Sequence, residues 1–199
     1  MSLFAESKAR SRARQASKDV SFSGSESIAG LLNEHMEKQA GLTSYDIFLS
    51  HAYDDRQLVL GVTLLIEDLG YSVFLDWRDD PSLDRKHVTP VTAAKLREKM
   101  RASKCLFYSI TPNAAESAWM KWELGFKDGH NNRTAILPVE VDESAADNYG
   151  GQQFLGIYPY VADGILSINK KPRLWIHRSK SCYVEFESWL EGKEPSEHK

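Results

Sequence analysis

From residue 45 onward, short apolar runs alternate with longer stretches whose apolar residues recur at helical spacing, the arrangement that β-α-β units around a parallel sheet produce. The runs at 45–49, 71–75, 105–109, 134–139 and 173–177 are each expected to be a strand. Between the first two, residues 58–69 form an apolar helical stretch that stops at Gly70, which can take the left-handed backbone favoured after a helix C-terminus. Residues 91–100 supply a second crossover helix and residues 112–127 a third. Cys182, Phe186, Trp189 and Leu190, spaced i, i+4, i+7, i+8, predict a last helix. Residues 140–170, interrupted by tyrosines, glycines and Pro159, predict no element.

Five strands with right-handed crossovers and helices on both faces favour an α/β, doubly wound parallel sheet of order 2-1-3-4-5. Ligands of such sheets bind beyond the carboxyl ends of the strands, where the winding reverses between the first and third. That rule brings the loop Ser50-His51-Ala52-Tyr53-Asp54-Asp55 to the same cleft as residues 111–123.

Ahead of the sheet, residues 1–20 carry Lys8, Arg10, Arg12, Arg14 and Lys18 against Glu6 and Asp19, the pattern of a solvated helix or disordered arm, with a transit peptide or basic docking arm as alternatives. Ser23 and Glu26 form a capping box, and Ile28, Leu31, Leu32, His35 and Met36 follow at helical spacing, so an amphipathic helix is expected to run to about Gln39. Its apolar face suits burial against the domain or against another subunit. The division is therefore 1–42, a basic arm and amphipathic helix; 43–192, the α/β domain; and 193–199, a polar tail.

Composition narrows the function classes. A chain of 199 residues, 42% hydrophobic and 27% charged, holds one domain with a real core and an appendage. A net charge of -3 lacks the basic excess of a nucleic-acid binder. No apolar run spans a bilayer and no secretory signal is expected, which points to the cytoplasm and away from a membrane. Cys105 and Cys182 have no metal-ligand spacing and give no disulfide framework, so both are expected to be buried thiols.

Candidate chemistry concentrates in Ser117-Ala118-Trp119-Met120-Lys121-Trp122-Glu123. On a helix, Trp119 and Glu123 share a face, which sets a carboxylate beside aromatic surfaces suited to a cationic nucleotide. Each residue also has a plainer reading. Glu123 with Lys127 is an i, i+4 ion pair, Trp119 and Trp122 are core aromatics, and Asp54 and Asp55 cap a helix. His51 has no partner at metal-ligand spacing, so no metal is expected. The run Arg78, Asp79, Asp80, Asp84, Arg85, Lys86 and His87 is a solvated loop.

Over roughly residues 43–190 the chain resembles the Toll/interleukin-1 receptor (TIR) domains in their bacterial form. The carriers are Tyr45-Asp46-Ile47-Phe48-Leu49-Ser50-His51, then Val73-Phe74-Leu75-Asp76 with the charged stretch from Trp77 to His87, and Ser117-x-Trp119-x-x-x-Glu123-Leu124. The resemblance implies a flavodoxin-like fold. It also implies cleavage of NAD+ at the nicotinamide-ribose bond with Glu123 as the catalytic residue, because enzymatic members keep a tryptophan four residues before that glutamate. Substrate contacts are then expected from Ser50, His51 and Ala52 near the diphosphate, and from Asp76, Trp77, Arg78, Ser117, Trp119 and Trp122. NAD+ is a substrate and no cofactor is required. The charged loop of the family closes over substrate or joins neighbouring subunits, which implies a homo-oligomer formed through TIR-TIR contacts.

The chain's small size and short helical lead are similar to the TIR component of the Thoeris antiphage system, whose nucleotide product activates a separate effector protein. Three products are open: ADP-ribose, a cyclic ADP-ribose isomer, or a base-exchanged dinucleotide. Other functions also stay open, namely a non-catalytic adaptor acting by TIR-TIR assembly, an NAD-depleting effector, and an enzyme like the nucleoside deoxyribosyltransferases. A phosphoacceptor receiver domain fails, because the third strand ends Phe107-Tyr108-Ser109-Ile110-Thr111 with no aspartate.

Overall fold

The computed structural model describes residues 3–19, 30–31, 33–35, 37, 41–52, 55–75, 89–111, 117–140, 149, 153–165 and 171–198. The Ser23–Glu26 capping box, Ile28, Leu32, Met36, Tyr53, Asp54, Asp76, Trp77, Arg78 and the rest of the charged loop, and residues 112–116 lie outside the described residues.

The strands are β1 (Phe4–Ala5), β2 (Tyr45–Ser50), β3 (Val73–Leu75), β4 (Ser103–Ile110), β5 (Thr134–Glu140), β6 (Tyr160–Ile165), β7 (Pro172–His177), β8 (Cys182–Glu185) and β9 (Ser196–Glu197). The helices are α1 (Glu6–Asp19), α2 (Arg56–Glu67), α3 (Pro90–Ala102), α4 (Ala118–Asn131) and α5 (Phe186–Leu190), with a 3-10 turn at Gln153–Ile157. The strands order β3-β2-β4-β5-β6-β7-β8-β9, and β1 pairs with the far end of β5. β3, β2, β4, β5 and β6 are mutually parallel, so the expected 2-1-3-4 winding is present and β2 neighbours β4 at its reversal.

The fifth parallel strand is not the one the pattern indicated. It is β6, inside the stretch that predicted no element, and residues 173–177 instead form β7, antiparallel to β6. Ile165 pairs with Pro172, so too few residues separate the two strands for a parallel crossover. The late helix also shrinks: Cys182–Glu185 is β8, paired antiparallel to β7, and only Phe186–Leu190 is helical. Phe186 and Trp189 enter the core, while Cys182 stays half-buried on the strand, so its helical spacing with Phe186 is coincidental.

Alternation along the strands divides the core in two. Ile47, Leu49, Cys105, Phe107, Ala135 and Leu137 point to the face covered by α2 and α5. Phe48, Leu106, Tyr108 and Ile136 point to the opposite face, under Leu96 and Met100 of α3 and Met120 and Leu124 of α4. The basic lead is helical but not solvated all round. Ala9 and Ala13 are fully buried against α2, and Arg12 reaches Asp68 with bonds of 2.8 and 3.0 Å. Further along, residues 30–31, 33–35 and 37 are helical, and His35 Nε2 lies 2.6 Å from Glu67 Oε1.

Candidate active site

β2 and β4 end side by side at the winding reversal, with Ser50 in register with Tyr108. Alternation turns both side chains to the α4 face, together with Phe48 and Leu106. α4 begins after Ser117, whose hydroxyl accepts from the Met120 N–H at 3.3 Å and so caps the helix. Its inward stripe is Met120, Glu123, Leu124 and Lys127, at i, i+3, i+4, i+7. Glu123 therefore projects from the middle of a core-facing stripe onto the end of the sheet.

Glu123 and Ser50 are both fully buried, and the Ser50 hydroxyl donates to Glu123 Oε2 at 2.5 Å. A buried carboxylate is costly unless hydrogen-bonded, and a hydroxyl donor at that separation makes a strong charge-assisted bond. Tyr108 faces the same carboxylate. Burial, then the negative charge of Glu123, push its phenol above the ordinary range, so Tyr108 stays neutral.

The i, i+4 ion pair of Glu123 with Lys127 does not form. The Lys127 ammonium is fully buried and donates to the carbonyls of Met100, at 2.7 Å, and Ser103, at 2.5 Å. It closes the C-terminal end of α3, where helix carbonyls lack intrahelical donors and the dipole favours a cation. Burial pushes its pKa down to about 8.

Around this pair the loop after β2 is packed inward. His51 is buried and its Nδ1 lies 3.0 Å from the Leu49 carbonyl, so Nδ1 carries the proton and donates. Ala52 is buried as well. These residues lie on the loop ahead of α2, which begins at Arg56. Asp55 occupies the N-cap position of α2, yet its carboxylate makes no capping hydrogen bond and accepts from the Thr111 hydroxyl at the end of β4. The cap assigned to Asp55 from the sequence is thus replaced by a clasp between two loops.

Trp119 and Trp122 are half-buried, edge to face with centroids 5.3 Å apart. Trp122 also stacks on Phe126 at 5.9 Å and lies under the Arg97 guanidinium at 5.5 Å. Ala93, Arg97, Ala118, Trp119 and Trp122 line an open groove of about 380 Å³ between α3 and α4. The structure thus joins Ser50 to Glu123 and Trp119 to Trp122, buries His51 and Ala52, and uses the Ser117 hydroxyl as a cap.

Tyr108 and Arg97 are additions to the sequence-derived set, and Thr111, placed at the cleft from the sequence, gains a partner in Asp55. Strand alternation from Phe48 and Ser50 across to Tyr108 is the signal that marks the first, whereas Arg97 needs the packing of α3 on α4. Among the described residues no group of three or more His, Cys, Asp or Glu side chains is placed to hold a metal ion.

Residues 47–161 match the family profile described as TIR domain. The chain is 43% identical over 174 residues to a probable 3' cyclic ADP-D-ribose synthase ThsB' of Bacillus cereus (strain MSX-D12), covering 87% of this chain and 90% of that protein. It is 31% identical over 83 residues to a putative cyclic ADP-D-ribose synthase TIR2 of Cytobacillus dafuensis, a stretch covering 41% of this chain and 22% of that protein.

Proposed function

The chain belongs to the TIR domain family, and on that footing we propose that it is an enzyme that cleaves NAD+ at the nicotinamide-ribose bond. It converts the ADP-ribosyl group to a cyclic ADP-ribose type signal in bacterial antiphage immunity. The observation that carries this reading is the Glu123 carboxylate, held by Ser50 at the reversal of the sheet, on a chain 43% identical to a protein named as a cyclic ADP-D-ribose synthase.

Nicotinamide leaves as a neutral molecule, taking the electron pair of the glycosidic bond onto its ring nitrogen, so no general acid is needed. The barrier lies in the positive charge built on the ribose carbon. Glu123, preorganised by Ser50, stabilises that charge as carboxylates do in glycosidases. Trp119 and Trp122 offer aromatic faces to the nicotinamide cation or the adenine, each worth about 0.5–2 kcal/mol. Backbone N–H groups of Ser50, His51 and Ala52 receive the diphosphate, and Asp76, Trp77, Arg78 and Ser117 complete the substrate contacts. A hydroxyl of the same ADP-ribose then attacks the ribose carbon and loses its proton, which closes the ring. Capture by water gives ADP-ribose and makes the protein a hydrolase toward NAD+.

Catalysis needs no cofactor besides the substrate. The chain works in the cytoplasm, as a homo-oligomer formed through TIR-TIR contacts, and a separate effector protein senses its product. Among the described residues, no helix is long and apolar enough to cross a membrane.

Chromatography of NAD+ incubations, with and without an activating signal, tests the reading. Wild type is expected to release nicotinamide with a cyclic product, and Glu123→Gln to lose about 100-fold or more of that rate. Glu123→Gln activity equal to wild type removes the carboxylate from the mechanism. A triggered wild type that releases no nicotinamide leaves an assembly module.

A further inference from the structure

We infer that Ser50 is the positioning residue of Glu123: its buried hydroxyl fixes the plane of the carboxylate and holds it in the form that meets the developing ribosyl charge. The inference deepens the reading of Glu123 as the catalytic carboxylate and rests on it.

Three features of the geometry carry it. The O···O separation is 2.5 Å with both residues fully buried, so the bond is shielded from competing water. An ionised carboxylate only accepts, which makes the Ser50 hydroxyl the donor and Oε2 its acceptor. Both ends are anchored, because Ser50 ends a strand in register with Tyr108 of β4 and Glu123 sits within the inward stripe of α4. With Oε2 pinned, the position of the other carboxylate oxygen follows from the plane of the group.

Ser50 was expected near the diphosphate. Full burial and a hydroxyl committed to Glu123 argue instead that the side chain acts through Glu123 and not on a ligand. A donated hydrogen bond favours the ionised carboxylate and so offsets its burial. Among the described residues, Ser50 from β2 and Tyr108 from β4 face that carboxylate. Tyr108 stays neutral, so it adds no competing negative charge.

The test pairs steady-state kinetics of the triggered full-length protein with a titration that needs no turnover. Ser50→Ala is expected to lower kcat roughly 10- to 100-fold, the worth of one hydrogen bond to a charged group, and to leave KM within about twofold. The acid limb of its kcat profile moves to higher pH. In protein labelled with 13C-glutamate, the Glu123 carboxyl resonance, assigned by its loss in Glu123→Gln, titrates at higher pH in Ser50→Ala than in wild type. Ser50→Thr, which keeps the hydroxyl, restores the wild-type titration and acid limb.

An unmoved Glu123 titration in folded Ser50→Ala overturns the inference, and so does a kinetic loss confined to KM. A loss of kcat that tracks lowered thermal stability, with the titration unchanged, assigns Ser50 a packing role and also overturns it. If triggered wild type releases no nicotinamide, the proposed activity fails, and the titration still decides whether Ser50 governs Glu123.

Discussion

A Cβ placed on Gly61 would lie 1.9 Å from the carbonyl oxygen of Ala9, so α1 and α2 pack backbone against side-chain-free backbone at that point. A glycine inside a helix costs about 1 kcal/mol relative to alanine, and here it permits the approach that buries Ala9 and Ala13. Gly61→Ala is therefore expected to push α1 off α2 and to lower stability by about 1–3 kcal/mol despite its better helix propensity. Amide exchange over residues 6–19 should quicken, and trypsin should cut faster at Arg10, Arg12 and Arg14. Arg12→Ala, which removes the exposed pair with Asp68, should cost under about 1 kcal/mol. Unchanged exchange in Gly61→Ala would show that the contact can be relieved without moving the helix.

Lys127 predicts a stability dependence on alkaline pH. Its folded pKa, pushed down to about 8 by burial, lies below that of the unfolded chain, so between those values the unfolded state binds more protons. Stability from this group rises with pH from about 8 to 10.5 and is lost as pH falls through 8. Burial raises the Cys105 thiol, which acts in the opposite direction at the upper end of that window. Because the Lys127 charge also acts on the Cys105 thiol, urea unfolding is compared between Cys105→Ala and Cys105→Ala/Lys127→Met, where the difference between the pH profiles isolates Lys127. At neutral pH Lys127→Met should cost about 1–3 kcal/mol, since the Met100 and Ser103 carbonyls lose their donor.

His177 governs the acid side. It is buried between Tyr160, at 5.2 Å, and Tyr183, at 5.1 Å, and its Nδ1 donates to the Ser179 carbonyl at 3.1 Å. Nε2 has no hydrogen-bond partner among the described residues, and burial lowers the pKa of the ring. As pH falls below about 6.5 the unfolded chain takes up the proton first, so stability declines from there down through the folded pKa. His177→Phe, which keeps a ring in the stack, should flatten that decline. Melting temperatures from pH 8 to pH 5 measure it, and parallel acid limbs in the two proteins would place the loss elsewhere.

Trp119 separates binding from chemistry. Lying half-exposed beside the groove, it is expected to affect KM: Trp119→Ala should raise KM for NAD+ roughly 2- to 30-fold, and Trp119→Phe should recover much of the loss. Trp122→Ala should also lower the melting temperature, because Trp122 stacks on Phe126 and supports Arg97. A Trp119→Ala effect confined to kcat would remove this indole from substrate binding.

The order of the first four parallel strands and the convergence of Ser50 with Glu123 follow from patterns legible in the chain. Short continuous apolar runs mark Tyr45–Ser50 and Ser103–Ile110, and the winding rule makes them neighbours. The spacing of Trp119 and Glu123 places both on α4. β6 was hidden because Asp163 and Gly164 break its apolar run, and β8 because four residues fit a helical spacing as well as a strand.

By itself the sequence determined the burial of β2, β4 and β5 and of the helices that cover them, since apolar runs and periodicity within one element report burial directly, whereas the buried side of the basic lead and strand β6 escaped it. Only the tertiary structure decided what each buried group meets. Lys127 leaves its helical neighbour Glu123 for the open end of α3, Asp55 leaves its own helix for Thr111, and Ser50 gives its hydroxyl to Glu123 across the interface of sheet and helix. In each case a polar group removed from water takes the strongest partner that packing brings within reach, and that partner lies on another element, 27, 56 or 73 residues away.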